Sequence, residues 1–84
     1  MQQLDYETLA ARLSSRERRL YLITYIFKVQ GAELARLNFE DAAEELGVDR
    51  RTLGRYIDEL GALGVLSFHD HKLKINPEYI KQEG

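Results

Sequence analysis

Residues 39–64 read FEDAAEELGVDRRTLGRYIDELGALG, and how this run divides decides the fold. Asn38 stands in front of it, a residue whose side chain accepts from the free N–H groups of a helix start. Phe39, Ala42, Ala43 and Leu46 recur at the three- and four-residue spacing of one helix face, which predicts a helix over 39–46. Gly47 follows where a chain leaving a helix needs positive φ. Val48 is apolar and Asp49 is a second cap. Leu53, Tyr56, Ile57, Leu60 and Leu63 again share a face, so a second helix is expected over 50–63, closed by Gly64. Two helices joined by so short a turn cross steeply. They need a small residue where their backbones meet, and Ala43 is placed to supply it, with Val48 plugging the corner beneath.

The outer side of the second helix carries the chemistry. At 100° per residue, Arg51, Arg55 and Asp58 lie opposite the apolar stripe and Gly54 flanks them. With Arg50 they put three cations at a helix N-terminus, where the dipole already gives positive potential and disfavours them. A solvated face explains that placement less well than contact with an anion. A helix about 10–12 Å across fits the major groove of B-DNA, where arginine donates two bonds to guanine. Gly54 costs roughly 1 kcal/mol against alanine but leaves room where the helix would press on DNA.

Working outward, two short strands are expected over 65–68 and 73–75, joined by His69-Asp70-His71-Lys72. Asn76-Pro77 can start one last helical turn before a polar tail. Upstream, residues 36–38 have room for one or two residues of strand. Residues 4–13 predict a helix capped by Asp5, with Tyr6, Leu9, Ala10 and Leu13 inward. Ser14 and Glu17 have the spacing of a capping box, so a long helix is expected over 14–30, ended by Gly31. Its apolar residues between Leu20 and Val29 cover most of its circumference, which calls for burial. Either the first helix packs across it or a second copy of the chain does. In the second case Tyr21, Leu22, Tyr25, Ile26 and Val29 are the dimer contacts.

Taken together, the stretch from Ser14 to Ile75 resembles the winged helix-turn-helix of prokaryotic transcription regulators. The likeness rests on Ala43, Gly47, Val48, Thr52 followed by Leu53, and Leu60 to Gly64 leading into a hairpin. It implies a single domain over 1–84, mainly α with a small β-hairpin wing: a three-helix core, a short antiparallel sheet and an extra N-terminal helix. Helix 50–63 is then the recognition helix and 65–75 the wing. On that footing Arg50, Arg51 and Arg55 face bases or phosphates, Thr52 contacts a phosphate, Gly54 lies in the same DNA-binding surface, and His71 and Lys72 approach the flanking backbone or minor groove. Arg16, Arg18 and Arg19 are further phosphate candidates. The implied protein is a homodimeric DNA-binding regulator in the prokaryotic cytoplasm, associated with the nucleoid, reading a palindrome through successive major grooves about 34–36 Å apart. The wing is short, and the helix before the recognition helix is acidic outward. A protein-docking module (adaptor or anti-repressor) on the same fold is the alternative, as is the DNA-binding domain of a plasmid or phage replication initiator.

Composition narrows the remaining classes. The chain has 84 residues, 44% of them hydrophobic and 31% charged, enough apolar surface to fold as one small domain. Net charge is −2, which argues against a general polyanion binder, but the signs are segregated: Glu40, Asp41, Glu44, Glu45 and Asp49 precede the arginines. There is no cysteine, so disulfides, thiolate zinc and cysteine nucleophiles are excluded. The polar, acidic N-terminus does not read as a secretory signal, and the longest apolar run is too short to span a bilayer. His69-Asp70-His71 is the only metal-like cluster, and its turn position makes a structural role the better expectation; no metal and no cofactor are expected. No nucleophile stands beside a base and no glycine-rich phosphate loop occurs, so the chain is not expected to be an enzyme.

Overall fold

The computed structural model describes residues 2–14 and 16–82. Four helices carry most of the chain: α1 (Tyr6–Leu13), α2 (Glu17–Gln30), α3 (Phe39–Leu46) and α4 (Arg50–Ala62). Strands β1 (Gln2–Leu4) and β5 (Ile80–Gln82) pair antiparallel, while β2 (Ala35–Arg36), β3 (Leu66–His69) and β4 (Lys72–Ile75) form a second antiparallel sheet in the order β2-β4-β3. A single 3₁₀ turn, Pro77–Tyr79, separates β4 from β5. The architecture is thus mainly helical with small antiparallel sheets.

The local signals at α3 and α4 act as their chemistry requires. Asn38 Oδ1 accepts the Asp41 N–H at 3.1 Å and Asp49 Oδ1 accepts the Thr52 N–H at 2.7 Å. Gly47 sits at φ 69°, ψ 33°, the left-handed conformation glycine reaches without steric cost, and its N–H closes on the last carbonyls of α3. Ala42 and Ala43 are buried, while Phe39 and Leu46 are half-buried at the edge of the core. On α4, Leu53, Tyr56, Ile57 and Leu60 are buried as the spacing predicts, and Leu63 is the C-cap, one residue beyond the helix.

Several expectations are corrected. The capping box does not form. Ser14 instead ends α1 at φ 56°, its N–H donating to the Ala10 carbonyl at 2.8 Å, and α2 starts at Glu17 with Arg16 as its cap. Ser15, inside the predicted 14–30 helix, lies outside the described residues, as do Met1, Glu83 and Gly84. Leu4, expected in the first helix, is in β1, and Tyr6 is 55% exposed rather than inward. The expected polar tail includes β5, paired with β1 from Leu4↔Ile80 to Gln2↔Gln82. The predicted four-residue connection in the hairpin shrinks to Asp70 and His71, both at positive φ. Two-residue turns of that kind match the right-handed twist of the strands they join, so β3 and β4 extend to His69 and Lys72.

The inward face of α2 is covered within the one chain. Leu22, Ile23 and Ile26 are fully buried by α1, α3 and the rest of the same chain, so Leu22 and Ile26 are core residues and not dimer contacts. The core continues through Leu9, Leu13, Leu53, Leu60, Val65, Leu73 and Ile75. Only Tyr21 and Val29 of the expected dimer residues are exposed, with Tyr25 half-buried.

Candidate nucleic-acid interface

The two elements that carry the expected site residues, α4 and the β3–β4 hairpin, are fixed from behind. The buried stripe of α4 packs on the core, and two arginines from the N-terminal half hold its far end. Arg12 donates twice to the Leu63 carbonyl, at 3.1 and 2.8 Å, satisfying an acceptor that the end of α4 leaves open. Arg19 grips Glu59 through both Nε and Nη2, and its guanidinium lies 4.5 Å from the centre of the Tyr56 ring. Hydrogen bonding from Arg19 is the main reason the Glu59 carboxyl sits below its ordinary range.

Arg19 is therefore occupied within the fold, contrary to its expected role as a phosphate ligand: a guanidinium chelated by one carboxylate has few donors left for another anion. The remaining upstream candidates divide. Arg16 is exposed and its side chain makes one long bond to the Leu13 carbonyl, at 3.4 Å; Arg18 is exposed and lines a cleft with Glu17, Tyr21, Glu45 and Leu46.

Arg50, Arg51 and Arg55 are exposed together on the first turns of α4. Among the described residues the ion pairs are Arg19–Glu59 and Lys81–Asp5, so none of these three arginines is tied to a carboxylate. Asp49 is close enough to feel Arg51 and Arg55, but its carboxyl is lowered first by the Thr52 backbone N–H it accepts, as a cap should be. Thr52 is half-buried beside that cap. Gly54 lies among the arginines, and a Cβ placed on it would meet no atom within 4 Å. No neighbour in the fold requires a glycine there.

On the hairpin, His71 and Lys72 are exposed at the tip. His71 stands in the turn at φ 65° with its ring edge-on to Phe68, 6.1 Å between centres. His69 ends β3, so the strand alternation that would place both imidazoles on one face is broken by the turn. Among the described residues no group of three or more His, Asp or Glu side chains gathers as a metal ion would need, and no helix is long and apolar enough to cross a membrane.

The register adds residues that linear reading passed over. Ser67 pairs with Lys74, His69 with Lys72 and Arg36 with Lys72, all on the side of the sheet away from buried Leu66, Leu73 and Ile75. Arg36 and Lys74 thus join Lys72 on one face. The only signal for this in the sequence is the alternation Lys72-Leu73-Lys74-Ile75, since the place of Arg36 depends on a pairing between distant segments. Neither a family model, nor a curated protein, nor a solved structure matches the chain.

Proposed function

We propose that this protein is a DNA-binding transcriptional regulator of the winged helix-turn-helix type. In this reading α4 enters the major groove and the β3–β4 hairpin serves as its wing. The observation that carries it is the N-terminal half of α4: three exposed, carboxylate-free arginines around a glycine that the fold itself does not need. Arg51 and Arg55 would read base edges, Arg50 and Thr52 would meet phosphates, and His71 and Lys72 would lie against the flanking backbone. Selection of bound duplexes from a random pool tests it, with enrichment of one sequence expected. Arg51→Ala and Arg55→Ala should each weaken binding to that sequence by about 1–3 kcal/mol and relax the preference at one base pair. Failure to enrich any sequence at low salt would remove the reading.

A homodimer remains part of the proposal on a narrower surface, the ridge Tyr21–Tyr25–Val29 at i, i+4 and i+8 of α2, where Val29 is 59% exposed. Light scattering of wild type against Val29→Glu checks it; a wild-type monomer removes the dimer and leaves DNA binding standing. The docking-module reading retains one observation of its own. Tyr21 is half-exposed and lines a cleft with Leu46, Glu17 and Glu45, its hydroxyl held by Glu45 at 3.0 Å. No retardation of any duplex, together with stable capture of a basic peptide, would favour it.

A further inference from the structure

Arg55 is one of the two arginines assigned to base edges, and carboxylates stand close to it along α4. Asp58 follows it by three residues and Glu59 by four, the spacings at which opposite charges meet on a helix surface. The cap Asp49 is also near enough to act on it. Yet the ion pairs among the described residues leave Arg55 out. The Glu59 carboxylate is turned to α2 and taken by Arg19. Both of its oxygens are engaged, Oε2 by Arg19 Nε and Oε1 by Nη2 at 3.1 Å. Asp49 is taken up by the Thr52 N–H, and Asp58 is exposed, where pairing contributes little. Glu59 is thus the carboxylate whose partner decides the state of Arg55.

Three arginines compete for it. Hydrogen bonds from Arg19 come first in holding the Glu59 carboxyl low, and the charges of Arg16 and Arg55 add to them. Arg19 holds it because its guanidinium is already fixed. It lies 4.5 Å from the centre of the Tyr56 ring and its side chain is 24% exposed, so little rotamer freedom is left to lose when the fork closes. Arg55 is exposed and would give up that freedom for a weaker, screened bond. Two-donor contact with guanine requires a guanidinium that no carboxylate holds. We propose that Arg19 is a positioning residue for base recognition: by chelating Glu59 it keeps that carboxylate off Arg55 and leaves Arg55 free to read its base pair. The inference rests on the DNA-binding reading of α4 and gives Arg19 a part in it without contact with the duplex.

Two measurements on the whole chain test it. In the free protein, the Arg55 Nε–H resonance reports whether a carboxylate holds the guanidinium. It should shift in Arg19→Ala and return to its wild-type position in Arg19→Ala/Glu59→Gln. On the selected duplex, the second measurement is the ratio of matched to mismatched affinity at the base pair that Arg55→Ala relaxes. That ratio should fall about twofold in Arg19→Ala, the scale of one surface pair four residues apart on a helix, and recover in the double variant. Glu59→Gln alone should leave both readouts at wild type. Lost packing on Tyr56 lowers the melting temperature of both Arg19 variants, so a ratio that recovers while stability does not separates this role from a structural one. If Glu59 turns to Arg16 instead, the Arg55 signal and the ratio stay unchanged in Arg19→Ala. That result overturns the inference and leaves binding by α4 standing, as does a double variant that fails to recover. A shifted Arg55 signal in a protein that enriches no duplex overturns the reading of α4, and the recognition role of Arg19 with it.

Discussion

Gly54→Ala adds one methyl group to a helix that has open space for it. Since that methyl touches nothing inside the fold, the substitution should stabilise the protein by roughly 0.5–1 kcal/mol, because glycine loses more backbone entropy on entering a helix than alanine does. The same methyl stands among Arg50, Arg51 and Arg55, so affinity for the selected duplex should fall while the melting temperature rises. Opposite movements in a thermal melt and a binding titration are the expected signature; a variant that is more stable and binds equally well would show that the helix surface at Gly54 does not approach the DNA. Titration belongs to this scale too. Asp5, Asp49 and Glu59 all have carboxyls below their ordinary values, the first through the Thr8 hydroxyl, the second through the Thr52 N–H, the third through Arg19. Carboxylates lowered in the folded state contribute stability that is complete above their unfolded pKa and disappears as pH falls through the folded one. The melting temperature should therefore be flat from pH 7 to about 5 and decline below about pH 4. Hydrogen bonds lead each shift, so added salt should leave most of that decline in place.

At the scale of elements, α4 is a helix aimed by its attachments. Arg12 bonds the carbonyl at its C-terminal end and Arg19 ties Glu59 and Tyr56 to α2, while Arg50, Arg51 and Arg55 on the N-terminal turns stay exposed. Arg19→Ala should destabilise by about 1 kcal/mol, chiefly by removing the stacking on Tyr56 and the packing of the arginine stem. The ion pair itself adds little, because the Glu59 side chain is 40% exposed. Glu59→Gln, which keeps the shape and removes the charge, should cost less in a denaturant titration. Equal losses in the two variants would locate the effect in the charge pair.

For the whole molecule, the decisive fact is that one chain buries Leu22, Ile23 and Ile26 of α2. Leu22→Ala and Ile26→Ala should each cost about 2–5 kcal/mol, a large share of the roughly 5–15 kcal/mol that stabilises a domain, and should do so independently of protein concentration. A loss that shrinks on concentrating the protein would show instead that these positions are covered by a partner. The termini close the same unit: β1 and β5 pair, and the Asp5 N–H donates to the Tyr79 carbonyl at 2.7 Å.

What could be read from residues alone was whatever depends on neighbours in sequence. The bounds of α3, the start of α4, the left-handed Gly47 and the inward stripes follow from caps, φ preferences and a 3.6-residue period, all of which act within a few residues. The arginine face of α4 was legible for the same reason. Tertiary structure alone decided the rest, because those outcomes are competitions between distant groups. Ser14 is a local competition instead: it has the chemistry of a helix start, yet its N–H donates to the Ala10 carbonyl four residues back and closes α1. Arg12 and Arg19 look like their neighbours Arg16 and Arg18 until α4 brings Leu63 and Glu59 to them. The β1–β5 pair and the alignment of Arg36 with Lys72 join segments far apart in the chain, and a pairing partner at that distance leaves no periodic trace in either strand. Local chemistry determined the helices and their faces; burial and long-range pairing determined which cations the fold consumes and which it leaves exposed.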